Sequence, residues 1–246
     1  MKMHLMAAAI VAAMFALPGA ASAQNLATEE GKASYALGYR AGAEIANVRA
    51  TGETVDMAAV IKGLEDAAAR KEPAVAREPM ADALLALQGR MTARYRSKLE
   101  QRATANKVEG DAFMAQNRAK PGVRELASGV QYRELEAGSG QRPTPAHQIT
   151  VEFVNALPDG TVIADTRVPS EGVPAGPVTV RLSEIAFPGL REALQLMPAG
   201  ARWEVVVPGS QAYGDDIDQV RELASQALVF NIKLISVGGI VPAPGG

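Results

Sequence analysis

Residues 191–214, REALQLMPAGARWEVVVPGSQAYG, constrain the fold more than any other stretch of this chain. The run starts as the end of a short helix and turns at Pro198-Ala199-Gly200. Trp203, Val205 and Val207 then alternate with Arg202, Glu204 and Val206, the period of a strand. Pro208-Gly209 breaks that strand, and an isolated Ala212-Tyr213-Gly214 follows. Local signals that agree this closely specify one order: helix, turn, strand, break.

The strand texture extends to either side. Residues 130–135 form a strand candidate, and Gly138, Gly140, Pro143 and Pro145 a loop. Ile149, Val151 and Phe153 alternate with Thr150, Glu152 and Val154, and Pro158-Asp159-Gly160 reads as a turn between β-prone segments. Residues 178–182 alternate again, 190–196 form the short helix, and 228–237 close the domain. Five or six strands and one short helix make an α+β domain with a curved antiparallel sheet wrapped on that helix, over residues 121–240. The tail, 241–246, is expected to be mobile.

The N-terminal half is helical in pattern. Across 25–70, Tyr35, Leu37, Tyr39, Ile45 and Val48 can share a broad apolar face, and Gly38 and Gly42 sit four apart, where small residues allow close helix approach. A second helix begins near Val55, with Thr54 or Asp56 as its N-cap. Residues 80–120 read as one long helix, about 60 Å at 1.5 Å per residue. Its first half carries a stripe of Leu84, Leu87, Met91, Tyr95 and Leu99; its second half is polar nearly all round. A helix polar on every side is expected to bridge packed parts through solvent, with Gly110 as its weak point. The helical region, 24–79 together with the striped half, is too small to bury a good core alone, so self-association is expected. A monomeric three-helix cap is the alternative.

Composition narrows the function classes. The chain of 246 residues is 48% hydrophobic and 21% charged, which excludes wholesale disorder. Aromatics make up 4%, so an aromatic pocket draws on a small stock. A formal charge of −2 gives no electrostatic case for nucleic acid. With no cysteine, neither a disulfide nor a cysteine-linked lipid anchor is expected. Only His4 and His147 carry imidazoles, so neither a His-based metal site nor a His-centred triad is expected, and no cofactor is called for. Asp215, Asp216 and Asp218 lack the remaining ligands of a calcium loop and read as a solvated loop. Residues 1–23 read as a cleaved secretory signal: Lys2, an apolar core over 6–17, and Ala21-Ser22-Ala23. That apolar core is shorter than the roughly 20 residues of a membrane span. A periplasmic or otherwise exported protein is therefore expected, with membrane association left open.

Several motifs carry a family resemblance. They are Ser34-Tyr35-Ala36-Leu37-Gly38, then the run 105–113 (ANKVEGDAF), Lys120-Pro121-Gly122, Ser128-Gly129-Val130-Gln131-Tyr132, and the opening run 191–214. Together they span most of the mature chain, which resembles the FKBP-type prolyl isomerases of the macrophage infectivity potentiator (Mip) branch. The resemblance implies a homodimer with interlocked N-terminal helices, long helices as stalks and isomerase domains at the tips. It implies proline-containing unfolded or extended polypeptides as partners. It also implies a site. Tyr213 stands at the family Tyr that donates to a ligand carbonyl, and Phe230 at the Phe of the last strand. Phe153 replaces a Tyr, Ile163 the Phe of a Phe-Asp pair, and Leu190 the Trp of the pocket floor in Phe187-Pro188-Gly189-Leu190. Val178 or Val180 replaces a bulky wall. Ala164 stands at the family Asp; a one-residue shift would bring in Asp165, the acid expected beside Tyr213. Residues 221–226 look like a helical turn in place of a Gly- and Pro-rich loop, and 166–177 is a longer segment than the family implies. The expected activity is prolyl isomerisation assisting the folding of exported proteins, reduced by these departures. The alternative is a holdase chaperone with an inactive isomerase cup.

Overall fold

The computed structural model describes residues 26–170 and 172–240. The expected signal and tail lie outside the described residues. The described residues divide into two compact units, with the boundary between Asp82 and Ala83.

In the first unit, helix α1 (Glu29–Ala50) is capped by Thr28, whose side chain accepts from the Gly31 N–H at 3.0 Å. Helix α2 (Met57–Ala68) is capped by Asp56, which accepts from Ala58 and Ala59 at 2.9 and 3.2 Å. Each cap satisfies orphan donors of a first turn. No residue of α1 is buried: Leu37 is 71% exposed and Tyr39 69%. Helix α3 (Arg77–Arg118) starts in the first unit and continues into the second, 42 residues without a break, with Pro79 tolerated in its first turn. No described helix is long and apolar enough to cross a membrane.

In the second unit, β1 (Arg124–Glu125), β2 (Gln131–Glu136), β3 (His147–Ala156), β4 (Val162–Asp165), β5 (Val178–Arg181), β6 (Arg202–Val207) and β7 (Leu228–Ile240) form one antiparallel sheet. Its order is β1-β2-β6-β7-β3-β4, with β5 also paired to β3. The two-residue β1 lifts the strand number above the five or six expected. Strand β3 carries two short partners on one edge: Gln148–Val151 pair with β5, and Val154–Ala156 with β4. The chain between them, 166–177, leaves the sheet. Short helix α4 (Pro188–Leu196) starts with Pro at its first turn, where the missing N–H is no loss.

The core lies between the concave sheet and α4. Trp203, Val205 and Val207 from β6, Leu228, Phe230, Ile232 and Leu234 from β7, and Leu190, Ala193 and Leu194 from α4 are all buried. Trp203 belongs to this core and stacks on Tyr132 at 4.5 Å. Gly189 brings α4 in. A Cβ there would fall 2.7 Å from Val130 Cγ2 and 2.8 Å from Val207 Cγ1.

The second half of α3 is not a solvent bridge. Leu99, Asn106, Gly110, Met114 and Asn117 are buried and follow one another at helical spacing. Asn106 Nδ2 donates to the carbonyls of Glu222 and Ala224 at 3.0 and 2.9 Å. Asn117 Nδ2 donates to Gln131 Oε1 at 2.9 Å, and Gln131 Nε2 returns a bond to Met114 O at 3.0 Å. At Gly110 a Cβ would come within 3.0 Å of Ala227 Cβ, so this glycine marks a close approach rather than a weak point. The helix docks through amides and a glycine, which a stripe of apolar residues does not reveal.

Candidate active site

The concave face of the sheet and the N-terminal end of α4 enclose a cavity of about 340 Å³. Strand β3 supplies Val151, Phe153 and Asn155, successive residues of one face. Strand β7 supplies Phe230 and Ile232, β4 Ile163 and Ala164, and β5 Val178 and Val180. The segment before α4 adds Ile185, Ala186 and Phe187; Leu190, 5% exposed, comes from the first turn of α4. Tyr213 follows the strand-breaking Pro208-Gly209.

Four rings line this cavity in sequence of contact. Phe153 meets Phe230 edge-on at 6.2 Å, Phe230 lies 5.9 Å from Phe187, and Phe187 meets Tyr213 edge-on at 5.0 Å. Such offset and edge geometries are the favoured ones for aromatic pairs. Phe153 is fixed from behind by Thr166, whose Oγ1 accepts from the Phe153 N–H at 3.0 Å and donates to the Phe153 carbonyl at 3.2 Å.

The structure thus brings Phe153, Ile163, Val180, Phe187, Leu190, Tyr213 and Phe230 to one hollow. It does not bring Asp165. Ala164, paired with Asn155, faces the cavity; Asp165 pairs with Val154 and lines a neighbouring hollow. Its carboxylate is turned to Arg167, accepting from Nε and a terminal nitrogen at 2.9 and 2.7 Å and from the Arg167 N–H at 2.9 Å. These bonds hold Asp165 far below the usual carboxylate range, at about 2. The observed register of β3 on β4 puts Ala164, not Asp165, among the rings.

The neighbouring hollow, about 460 Å³, shares Ile163, Ala164 and Val178 with the cavity and is lined on the long segment by Val168, Val173 and Pro174. Gly176 donates to the Thr166 carbonyl at 2.7 Å, strapping the base of that segment. Asp215 accepts from Ser225 Oγ at 2.6 Å, Asp216 caps a helical turn, and Asp218 pairs with Arg96 at 2.8 Å. The segment after Val220 turns as a short 3₁₀ helix, Arg221–Leu223. Asn155 escaped the sequence analysis. The signal was present: the alternation of Ile149, Val151 and Phe153 reaches Asn155 at its next inward step.

Comparison with known proteins agrees with the geometry. A family described as the domain amino terminal to FKBP-type peptidyl-prolyl isomerase matches residues 30–133, and FKBP-type peptidyl-prolyl cis-trans isomerase matches 139–235. The chain is 37% identical to the outer membrane protein MIP of Legionella longbeachae, over 96% of this chain and 98% of that one. It is 34% identical to the peptidyl-prolyl cis-trans isomerase Mip of Coxiella burnetii, over 88% and 90% of the two chains. Among solved structures, FkpA from Escherichia coli covers 87% of this chain with 99% of its own, at a TM-score of 0.69 and 26% identity. A ring-lined cup on a curved sheet, with both halves of the chain matched, makes this protein a member of the FKBP-type peptidyl-prolyl cis-trans isomerases, in the Mip branch.

Proposed function

We propose that this protein isomerises X-Pro bonds in exported polypeptides as they fold, as a homodimer and at a reduced rate. The observation that carries the reading is the run of four rings, Phe153, Phe230, Phe187 and Tyr213, around one hollow of the right chemistry. Rotation about an amide faces a barrier of about 18–20 kcal/mol. For X-Pro the two isomers lie within about 1 kcal/mol of each other, yet exchange takes tens of seconds or longer. A catalyst needs a dry cup for the prolyl ring, because amide resonance weakens when the carbonyl is desolvated. It also needs a donor placed for the twisted state. Phe153, Phe187, Phe230 and Leu190 supply the cup, with Ile163 and Val180 at its sides, and the Tyr213 hydroxyl supplies the donor. Asp165 has no part in this site. The aliphatic Leu190 floor, and Ala164 in place of a carboxylate, are the grounds for reduced turnover.

Residues 24–79 and the first half of α3 are the proposed association region, with 121–240 as the isomerase domain. Two observations support association. Apolar side chains such as Leu37 and Tyr39 stand exposed on α1, and nothing lies within 4 Å of a Cβ built at Gly38 or Gly42. A surface that apolar, on a unit that small, calls for a cover. The same exposed face favours a second reading, a holdase chaperone whose cup is silent.

A protease-free assay of proline isomerisation on the intact chain separates the two. Acceleration above the uncatalysed rate, lost when the cup is blocked by Ala186→Trp, is the expected result. No acceleration, together with suppressed aggregation of an unfolded client, would select the holdase.

A further inference from the structure

Asn155 and Tyr213 are the two polar side chains among the fourteen residues lining the cavity. Asn155 is 4% exposed, on an inward face otherwise made of Ile149, Val151 and Phe153. Its Oδ1 is buried and has no hydrogen-bond partner within the protein. A buried acceptor left unsatisfied destabilises a fold, and an apolar side chain of the same size would avoid that. Its place in the sheet fixes it firmly: Asn155 pairs with Phe230 on one side and Ala164 on the other, both lining the same cavity.

We infer that Asn155 is a substrate-binding residue, its Oδ1 accepting a backbone N–H of the bound peptide. The inference rests on the isomerase reading of this cavity. Proline's own nitrogen carries no hydrogen, and the donor is assigned to the residue that follows the proline. The two polar groups then divide the work. Tyr213 O–H donates to a carbonyl, Asn155 Oδ1 accepts an N–H, and the rings hold the pyrrolidine between them. A flanking residue able to donate becomes a requirement of the site, so X-Pro-Pro, whose following residue also lacks an N–H, is a poor substrate. The bond to Asn155 thereby confers a sequence preference that an apolar cup alone lacks.

The test uses the full chain, Asn155→Leu, and a prolyl tetrapeptide made in two forms, all-amide and with an ester in place of the amide following proline. With the wild type, the ester lowers kcat/KM about tenfold. Asn155→Leu is about tenfold slower than wild type on the all-amide peptide, insensitive to the ester, and unfolds at the same or a higher temperature. The rise or constancy of Tm is the readout that a merely structural asparagine would not give. Equal kcat/KM for Asn155→Leu and wild type on the all-amide peptide would overturn the inference while leaving the isomerase reading intact. So would an ester effect that persists in Asn155→Leu, or an activity loss that only tracks a fall in Tm. A wild type inactive on every peptide would remove the isomerase reading itself, and this inference with it.

Discussion

In the proposed reaction, Tyr213 is the residue on which the chemistry turns. Its ring is held edge-on by Phe187 at 5.0 Å, so deleting the hydroxyl leaves the packing in place. Tyr213→Phe is expected to lower kcat/KM about tenfold, the worth of one hydrogen bond in the transition state, with Tm little changed. Peptide kinetics beside a thermal melt checks both halves. Asp165 makes the opposite prediction. Arg167 depresses its carboxyl to about 2, below the value near 4 of an unfolded chain. Its contribution to stability is therefore present above about pH 4 and lost as pH falls toward 2. Between pH 5 and 8 the carboxylate stays ionised, and kcat/KM should carry no inflection from it. A wild-type inflection in that range that disappears in Asp165→Asn would contradict this placement. The family resemblance pointed to Phe153, Phe187, Tyr213 and Phe230, and the structure brings these four rings to one hollow. Asn155 was within reach, as the next inward step of the β3 alternation, whereas the exclusion of Asp165 follows from the register of β3 on β4, which no local pattern specifies.

At the scale of elements, α4 and α3 each depend on a glycine at a contact. A Cβ at Gly189 would lie within 3.0 Å of Val130, Val207 and Gln211 atoms, so α4 could not keep its seat. Gly189→Ala should destabilise the domain by about 1–3 kcal/mol and also weaken activity by shifting Leu190. Urea unfolding with unchanged m reads the first effect. On α3, Asn106 satisfies two carbonyls of the 222–224 turn. Asn106→Ala leaves both without that donor and is expected to cost about 2 kcal/mol. If α3 stood free in solvent beside the domain, as its polar sequence suggested, this substitution would be neutral. The sheet was legible because apolar alternation is the signal of a half-buried strand. The docking of α3 was not, because Asn106, Gly110 and Asn117 bury themselves by bonds and close approach rather than by hydrophobicity.

At the scale of the whole molecule, the claim is that one region associates and another catalyses. The intact chain should sediment as a dimer. Replacing Gly38 and Gly42 together by Leu, where side chains would meet a partner rather than this chain, should give monomers that keep their rate on a short peptide. A monomer mass for the unaltered chain would defeat the proposed homodimer. The test closest to the central claim is exchange NMR of a prolyl tetrapeptide with substoichiometric protein. Unaided, cis and trans interconvert over tens of seconds or more. The account predicts exchange cross-peaks between the two isomers within a second, with perturbed protein signals centred on Phe153, Phe187, Tyr213 and Phe230. Folded protein that yields no exchange peaks, or perturbations that avoid these four rings, would contradict it.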